Sequence, residues 1–406
     1  MRVTVRGSES DAATAAPVRR RPRDRKAQIV KTAARAFSER GYHPVGIDEI
    51  AAELGISGPA LYRHFPNKYA LLVAAAEYGA ELIRNAAESA DTDRSRSAEA
   101  RLDAILCALI SATVENRRGG GLYRWERRYL EPVDRKRLLA IFASANAHIA
   151  DALRQLRPAL TPTDTDLLVA ATLSVIGSIT AHRTALATSK LSDVLDTACW
   201  SVLRVDLPAP AASLADPAAI ATGLAMSSKR ELLINEALRV FSERGYHDAG
   251  IEEIGAAAGM NASSVYRYFP SKAELLSSAF YRAADRLAVA TGDALASATT
   301  ARGALLALAD RYISLAFSSP ELLSVYFAEF GNLPALERNQ LRALQRQHIE
   351  EWVHLLADTG HGAVETRFRV HAALGLVLDI GRLTHFDPQP ETRARVHALM
   401  TAVLFG

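Results

Sequence analysis

The sequence predicts an all-α fold built from two similar halves, and three observations support this prediction. Hydrophobic residues form 49% of the 406-residue chain, and most of them are alanine and leucine, which favour helices. Runs of valine, isoleucine and threonine, which are typical of strands, are scarce. Finally, LYRHFPNK at 61–68 returns as VYRYFPSK at 265–272, so a whole domain is duplicated.

The duplication extends well beyond the octapeptide. Residues 36–72 align with residues 240–276 without a gap, and FSERGYH is identical in both copies. In each copy an apolar stripe predicts a first helix, which a glycine closes at Gly41 and Gly245. Two short helices follow, and the residue after a proline (Asn67 or Ser271) caps a longer fourth helix.

Two short helices joined by a tight glycine-containing turn predict a helix-turn-helix, whose second helix enters the major groove of double-stranded DNA. A plain helical hairpin is the alternative, but the same ordered pattern occurs twice. The residues predicted to contact DNA are Ser57, Pro59, Ala60, Tyr62, Arg63, His64 and Lys68, and in the second copy Asn261, Ser263, Ser264, Tyr266, Arg267, Tyr268 and Lys272.

Each residue type in this set suits one kind of contact. Arg63 and Arg267 could take a guanine bidentately or hold a phosphate, and serine hydroxyls can reach several bases. The lysine at each fourth helix is predicted to bind a phosphate there. A basic arm that contains Arg19, Arg20 and Arg21 precedes the first copy only. It could enter the minor groove or remain a solvated tail.

The stretch Gly41 to Lys68, GYHPVGIDEIAAELGISGPALYRHFPNK, resembles the DNA-binding domain of TetR/AcrR-type transcriptional regulators. The resemblance covers about 50 residues in each half. It implies a regulator that represses transcription and releases DNA when a small molecule binds its C-terminal domain. The sequence departs from the family at the cap of the second helix, where Gly46 and Gly250 replace the usual serine or threonine.

Family members are usually homodimers, whereas this chain has two regulator-sized halves. It resembles the tandem regulators of actinobacteria, and we expect an intramolecular pseudo-dimer that binds a non-palindromic operator. Further dimerisation remains open. The predicted domains are a basic arm (1–23), a helix-turn-helix (24–71), a helical ligand and pairing domain (72–205), a linker (206–226), a second helix-turn-helix (227–275) and a second helical domain (276–406).

Helical patterns continue through both C-terminal domains. We expect helices near 69–89, 98–117, 121–130, 134–156, 163–187 and 191–204, and near 272–297, 301–318, 320–331, 334–358, 364–384 and 391–404. The last two helices of each half are the most apolar, so they must be covered on more than one face. A four-helix bundle between the halves is therefore predicted.

The ligand site is less defined by the pattern. An aromatic wall with an arginine suits an amphipathic acid or an acyl-CoA thioester, and the resemblance adds lipids as candidate effectors. The alternative is that these aromatic residues belong to the core. The candidate pocket residues are Trp125, Arg128, Tyr129, Phe330 and Trp352.

Several function classes lack support in the sequence. No catalytic motif, cofactor fingerprint or metal-ligand spacing is present, so neither an enzyme nor a metal or cofactor is predicted. The longest uncharged apolar stretch, 167–181, is too short to span a bilayer, and two distant cysteines fit the cytoplasm. A ligand-insensitive architectural DNA-binding protein remains the alternative to a ligand-controlled regulator.

Overall fold

A computed structural model of the chain describes residues 25–209, 227–360 and 362–406. These residues form eighteen α-helices and no strand, which confirms the predicted all-α fold. In half one the helices are α1 Arg25–Arg40, α2 Ile47–Glu53, α3 Gly58–Tyr62, α4 Lys68–Ala90, α5 Ala98–Glu115, α6 Leu122–Glu126, α7 Pro132–Leu156, α8 Pro162–Gly177 and α9 Thr188–Leu203. In half two they are α10 Lys229–Arg244, α11 Ile251–Ala257, α12 Ala262–Tyr266, α13 Lys272–Ser297, α14 Ala301–Ser318, α15 Pro320–Glu329, α16 Ala335–Ala357, α17 Ala363–Leu383 and α18 Pro390–Phe405.

Each half begins with a small helical unit, called a head below, which comprises three helices and the start of the fourth. The apolar stripes of the sequence form the core of each head. Fully or almost fully buried are Ile29, Phe37, Ile50, Leu61 and Phe65 in head one, and Leu233, Phe241, Ile254, Val265 and Phe269 in head two. The fourth helices begin where expected, because Asn67 Oδ1 accepts a hydrogen bond from Ala70 N–H at 2.7 Å and Ser271 Oγ accepts one from Glu274 N–H at 3.1 Å.

The last two helices of each half pack against those of the other half. Helix α8 lies against α17 and α9 lies against α18, so the four helices form the predicted bundle. A single hydrophobic core extends through both halves and includes Val175, Cys199, Leu376 and Met400, all fully buried. No described helix combines the length and the apolar character that a membrane crossing requires.

One predicted helix is shorter than the sequence pattern indicated. Helix α8 ends at Gly177, and only a 3-10 turn, Ser178–Thr180, continues it, whereas a helix to residue 187 was expected. The guanidinium of Arg117 explains the end, because it donates to the carbonyl oxygens of Ile179, His182 and Thr184 at 2.7–3.0 Å. Those carbonyls therefore find partners outside a helix.

The ends of the predicted domains lie partly outside the described residues. This applies to the whole basic arm 1–23, with Arg19, Arg20 and Arg21, and to most of the linker 206–226. The predicted domain boundaries therefore stay predictions. The two heads, in contrast, are fully described, and so are the helices that connect them to the bundle.

Candidate nucleic-acid interface and ligand cavities

The third helix of each head has an apolar inner face, which is buried, and a polar outer face, which is exposed. Leu61 and Val265 are fully buried and hold the helices α3 and α12 in place. Tyr62 and Tyr266 are about half exposed, at 50% and 51%. Eight more of the residues predicted to contact DNA are exposed: Ser57, Pro59, Arg63, His64, Asn261, Ser263, Arg267 and Tyr268. Ala60 and Ser264 are half-buried.

The outer faces of α3 and α12 differ in how their polar groups are held. In α12 the side chain of Asn261 accepts hydrogen bonds from Ser264 N–H and from Ser263 Oγ, both at 2.9 Å. The guanidinium of Arg267 donates to Ser264 Oγ at 2.9 Å. Helix α3 has only small groups at the matching positions, and Ser57 makes no such cap. The two faces therefore offer different chemistry to a ligand.

The two lysines that were predicted to hold phosphates are directed into the heads instead. Lys272 Nζ donates to the backbone oxygens of Tyr246 and Ala249, at 2.5 and 2.9 Å, and lies 3.3 Å from that of His247. Lys68 Nζ donates to the backbone oxygen of His43 at 3.0 Å. An ammonium with three carbonyl partners, as in Lys272, has no proton left for a phosphate. The phosphate contact of Lys68, which has one carbonyl partner, stays a prediction.

Each lysine also lies over an aromatic ring, and burial lowers its pKa. Lys68 Nζ is 4.6 Å from the centre of the Tyr42 ring, and Lys272 Nζ is 4.5 Å from that of Tyr246. The pKa of each ammonium falls below its usual value because of burial. Both lysines thus fasten the GYH turn that links α1 to α2, and α10 to α11, to the start of the fourth helix.

The second helices begin without a side-chain cap, as the departure from the family pattern implied. Gly46 and Gly250 occupy the cap positions of α2 and α11. Acidic residues follow in the first turn of each helix. Neither described head therefore has a hydroxyl group at the cap of its second helix that could contact a phosphate.

A buried glutamate ties each head to the rest of its half. Glu126 at the end of α6 accepts a hydrogen bond from Tyr42 N–H at 3.2 Å. Glu329 at the end of α15 accepts one from Tyr246 N–H at 2.8 Å. Burial raises the pKa of Glu126 to about 7, and it also raises the pKa of Glu329. Two equivalent carboxyl groups thus bind the two equivalent GYH turns.

The heads and the segments that support them also contact each other through five residues, called the head clamp below: His43, Arg128, Tyr129, His247 and Glu329. Arg128 Nη1 of half one lies 2.9 Å from Glu329 Oε1 of half two, and both side chains are largely buried. The ring centres of His43 and His247 are 4.8 Å apart, and Tyr129 packs edge-on against His43 at 4.6 Å. The head clamp fixes the position of one head relative to the other.

A glycine in head two allows this close approach. Gly245 has a φ of +83°, and a Cβ atom there would lie 2.9 Å from the hydroxyl oxygen of Tyr129. Any other residue would be strained in this backbone conformation and would also meet the tyrosine. The glycine that ends α10 therefore serves two purposes, since it closes the helix and admits a side chain from the other half.

The two side chains of the head clamp that follow a sixth helix and cross to the other half both come from half one. Its residues Arg128 and Tyr129 follow α6 of half one, and the equivalent residues after α15 of half two are Gly331 and Asn332, which lack comparable side chains. Arg124 of α6 makes another contact of this kind. Its guanidinium pairs with Asp379 of α17, with Nη2 2.5 Å from Oδ2 and Nε 3.2 Å from Oδ1.

The larger cavity of the described residues, about 1640 Å³, lies beneath both heads. Its walls come mainly from α4, α5, α7 and α8 of half one, and residues of α15 and α17 close it from half two. Tyr78 and Asn116 line it, and so does Asn146, whose buried Oδ1 has no hydrogen-bond partner among the described residues. The charged residues at its rim include Lys31, Arg35 and Glu243 of the heads.

The smaller cavity, about 420 Å³, lies within half two, between α13, α14, α15, α16 and α17. Its lining is mostly apolar and includes Leu287 and Leu323. The aromatic residues Tyr312 and Tyr326 contribute to the wall, and Arg124 of half one reaches it. The volume is within the range of small-molecule sites, about 300–1,000 Å³.

The five predicted pocket residues are placed differently from one another. Arg128 lines the larger cavity and belongs to the head clamp. Tyr129 packs between the heads and lines neither cavity. Phe330 and Trp352 lie one layer behind the smaller cavity, where they pack on Tyr326 and Tyr312 respectively. Trp125 is in α6, and its side chain lies outside the described part of the chain.

The sequence analysis assigned no role to Glu126, although a signal for the two buried glutamates existed. LYRWE at 122–126 and VYFAE at 325–329 share a tyrosine and a glutamate at the same spacing, which extends the repeat into the sixth helix of each half. It also missed Asp103, Cys107 and Asp196, whose potential ligand atoms lie within 4.8 Å of one another. This group is at the surface, and acidic surface groups are common without an ion.

Comparison with known proteins supports the duplicated head. The family model described as bacterial regulatory proteins, tetR family, matches residues 29–75 and 233–279. The transcriptional activator FasR of Mycolicibacterium smegmatis is 48% identical over 56 residues, which are 14% of this chain and 26% of that protein. The transcriptional repressor KstR2 of Rhodococcus jostii is 27% identical over 155 residues, 38% of this chain and 76% of that protein. The chain thus spans about a quarter of FasR, and the same holds for the regulator YerO of Bacillus subtilis, at 24%.

Solved structures of similar proteins align with about two fifths of the chain. The ketosteroid transcriptional regulator KstR2 of Mycobacterium tuberculosis aligns with a TM-score of 0.40 and 17% identity, over 44% of this chain and 95% of that one. AibR, solved with isovaleryl coenzyme A and operator DNA, aligns with a TM-score of 0.35 and 16% identity, over 37% of this chain and 86% of that one. The family model matches once in each half, so the chain contains two copies of the N-terminal domain of bacterial regulatory proteins of the tetR family.

Proposed function

We propose that the chain is a sequence-specific DNA-binding repressor that binds an asymmetric operator as a single-chain pseudo-dimer and is released by a small-molecule effector. The observation that carries the proposal is the head clamp, which joins two helix-turn-helix heads within one chain. Two linked heads bind two half-sites with an effective concentration that separate heads lack. Each recognition helix would then enter one of two successive major grooves.

The asymmetry of the operator follows from the different outer faces of α3 and α12. Helix α12 offers Ser263 and a polar network around Asn261, whereas α3 offers Pro59 and small apolar groups at the equivalent positions. Hydroxyl and amide groups read donors and acceptors on base edges, whereas apolar groups favour a thymine methyl. The two half-sites are therefore expected to differ in sequence.

Selection of bound sequences from a random DNA pool tests this part of the proposal. We expect an operator with two unlike half-sites, about 10 base pairs apart from centre to centre. With about eight phosphate contacts, the logarithm of the binding constant should fall with the logarithm of salt concentration with a slope of roughly −7. A perfect palindrome would contradict the asymmetry, and no enriched sequence would contradict sequence-specific binding.

The effector part of the proposal is supported by the two cavities and by the connection between them. Arg124 lines both cavities, and the same short segment continues into the head clamp. A ligand that displaces α6 would thereby change the contact between the heads. The alternative, a ligand-insensitive architectural protein, would keep its DNA affinity in the presence of any small molecule. A DNA-release assay with neutral lipids, fatty acids and acyl-CoA thioesters separates the two.

A further inference from the structure

The smaller cavity contains two phenol hydroxyl groups for which the described residues provide no hydrogen bond. Tyr312 is 5% exposed and Tyr326 is partly buried, and both line the cavity. Neither hydroxyl takes part in a hydrogen bond among the described residues, and neither is sealed from the cavity space. Both phenols have a raised pKa because of burial, so they are uncharged donors at neutral pH.

The rings that carry these hydroxyls are held firmly. Tyr312 packs edge-on against Trp352, with ring centres 6.2 Å apart. Tyr326 packs against Phe280 at 5.0 Å and against Phe330 at 5.2 Å. The two hydroxyls are therefore positioned by the core and need little ordering when a ligand binds, which favours affinity.

The histidines at the wall supply no positive charge. Trp352 Nε1 donates to His348 Nε2 at 3.1 Å, and an indole nitrogen can only donate. His348 must therefore carry its single proton on Nδ1, which faces Thr291 Oγ1 at 3.5 Å, while that hydroxyl donates to the Leu287 carbonyl at 2.8 Å. Burial lowers the pKa of His348 to about 4, in agreement with a neutral ring.

The other histidine and the arginine at this cavity are also committed. His371 stacks on His182 with ring centres 4.0 Å apart, and burial lowers its pKa to about 4. Arg124 is paired with Asp379 and also donates to the Gly375 carbonyl at 3.2 Å. Among the described lining residues, a carboxylate or phosphate would thus meet no unpaired cation, and burial of such a charge is costly.

From these observations we propose that the smaller cavity binds an uncharged, apolar ligand with a carbonyl or ether oxygen that accepts hydrogen bonds from Tyr312 and Tyr326. This inference rests on the proposed effector response and names its ligand class. The proposed ligand class applies to the cavity of half two only. In half one Leu109 takes the place of Tyr312, and the larger cavity is lined by charged groups. The proposed class also excludes acyl-CoA thioesters, whose phosphates need several cations.

Competition against a fluorescent hydrocarbon tests the ligand class in the absence of DNA. Diphenylhexatriene, which has no acceptor, serves as the reporter of the cavity in the full-length chain. Undecan-2-one and decanoate are a matched pair of competitors, because one carries a methyl group where the other carries a charged oxygen. At pH 8 we expect undecan-2-one to displace the reporter at a concentration at least about tenfold lower than decanoate does. Equal potency would overturn the proposal.

Two variants test the role of the hydroxyls. The double substitution Tyr312→Phe and Tyr326→Phe keeps both rings, so binding of diphenylhexatriene should be unchanged. Affinity for undecan-2-one should fall about tenfold, as expected when two neutral hydrogen bonds are lost. Tyr78→Phe, which removes a hydroxyl from the larger cavity, is the matched control and should change neither value. An unchanged affinity of the double variant for undecan-2-one would refute the assignment.

Filling variants identify the cavity that is occupied. Ala284→Leu narrows the smaller cavity and should abolish reporter binding, whereas Gly79→Leu fills open space in the larger cavity and should have no effect. The reverse result, or no reporter binding to the unmodified chain, would contradict the proposal. Because these assays contain no DNA, a chain that binds undecan-2-one but no operator would refute the proposed repressor and leave the ligand class intact.

Discussion

Two lysines illustrate how a single side chain can stabilise a turn at a surface where it was expected to bind DNA. Lys272 gives its protons to backbone oxygens of the GYH turn and lies over Tyr246, and Lys68 does the same with fewer partners. The carbonyls of a tight turn cannot all find partners within the turn, and an ammonium with three donors satisfies several at once. On the outer faces of the third helices, the positive charge of the described heads therefore comes from Arg63 and Arg267.

Lys272→Met tests this assignment. The substitution leaves up to three carbonyl groups without a donor, so the free energy of unfolding should fall by about 1–3 kcal/mol. The slope of DNA affinity against salt should not change. A lysine on a phosphate would behave in the opposite way, since its removal would reduce the slope by about 1 without unfolding the head. Lys68→Met, with one carbonyl partner, should destabilise its head less.

The arginines of the recognition helices should each control one half-site. Arg63→Ala is expected to weaken operator binding by about 1–3 kcal/mol and to relax specificity in the half-site under α3 only. Arg267→Ala should do so under α12. Fluorescence anisotropy with operators mutated in either half-site measures both effects. Arg346→Ala, an exposed arginine of α16, is the control. Equal weakening on every DNA sequence would identify phosphate contacts instead.

The buried carboxyl of Glu126 predicts a pH dependence. Its pKa is about 7 in the folded chain, above the ordinary value of 4.5, because of burial. Between those two values the folded chain holds a proton that the unfolded chain has lost, so stability falls as pH rises. Glu126→Gln keeps the acceptor for Tyr42 N–H but cannot ionise. We expect it to stabilise the chain at pH 7.5 by about 1–3 kcal/mol.

Thermal unfolding at pH 5 to 8 provides the measurement. In Glu126→Gln the midpoint temperature of unfolding should depend less on pH. Glu115→Gln, at an exposed glutamate of α5, is the control and should leave this pH dependence as in the unmodified chain. His43 acts with the opposite sign, since burial lowers its pKa and favours the neutral ring. A profile that Glu126→Gln leaves unchanged would exclude this carboxyl as its source.

Among the helices, α6 and the residues after it connect more sites than their length suggests. This segment reaches Asp379 through Arg124, head one through Glu126 and head two through Tyr129, which contacts Gly245. Its equivalent in half two provides Glu329 but no side chain that crosses to the other head. A displacement of α6 would therefore affect both heads. A displacement of α15 would affect head two and, through Glu329, the ion pair with Arg128.

Tyr129→Ala tests the segment as a connector. The substitution removes the ring between the heads and frees their relative position, so binding to a DNA with both half-sites should weaken by about 5- to 30-fold. Binding to a duplex with one half-site should not change, because each head stays intact. Val289→Ala, at an exposed position of α13, is the control. Unchanged affinity for the complete operator would show that the contact does not fix the heads.

The positions of the helices were largely predictable from the sequence, and the contacts between halves were not. Apolar periodicity with glycine, proline and cap residues placed α13 and α14 at their observed ends, because such signals are local. The early end of α8 depends on Arg117, about 60 residues away in the chain. Likewise, Arg124 meets Asp379 across 255 residues, and no local pattern specifies such a pair. Phe330 and Trp352 were recognised as aromatic, but only packing assigned them to the layer behind the smaller cavity.

For the whole molecule, the proposal makes a stoichiometric prediction. One chain should bind one operator, because both heads and the bundle that joins the halves are provided by the same polypeptide. Light scattering of the complex at two salt concentrations measures this directly, and we expect the mass of one chain plus one duplex. A mass of two chains per duplex would show that the duplicated heads act within a larger assembly.

The pair formed by Arg124 and Asp379 has a consequence for how such a molecule can evolve. In a symmetric dimer every substitution occurs in both subunits. An arginine introduced at the interface is therefore present twice, and each subunit must also carry the acid that pairs with the arginine of the other. In this chain the position equivalent to Arg124 is Phe327, which lines the smaller cavity. After the duplication, the two equivalent positions could therefore change independently. Position 124 could specialise in the contact between the halves, while position 327 could specialise in lining the ligand cavity.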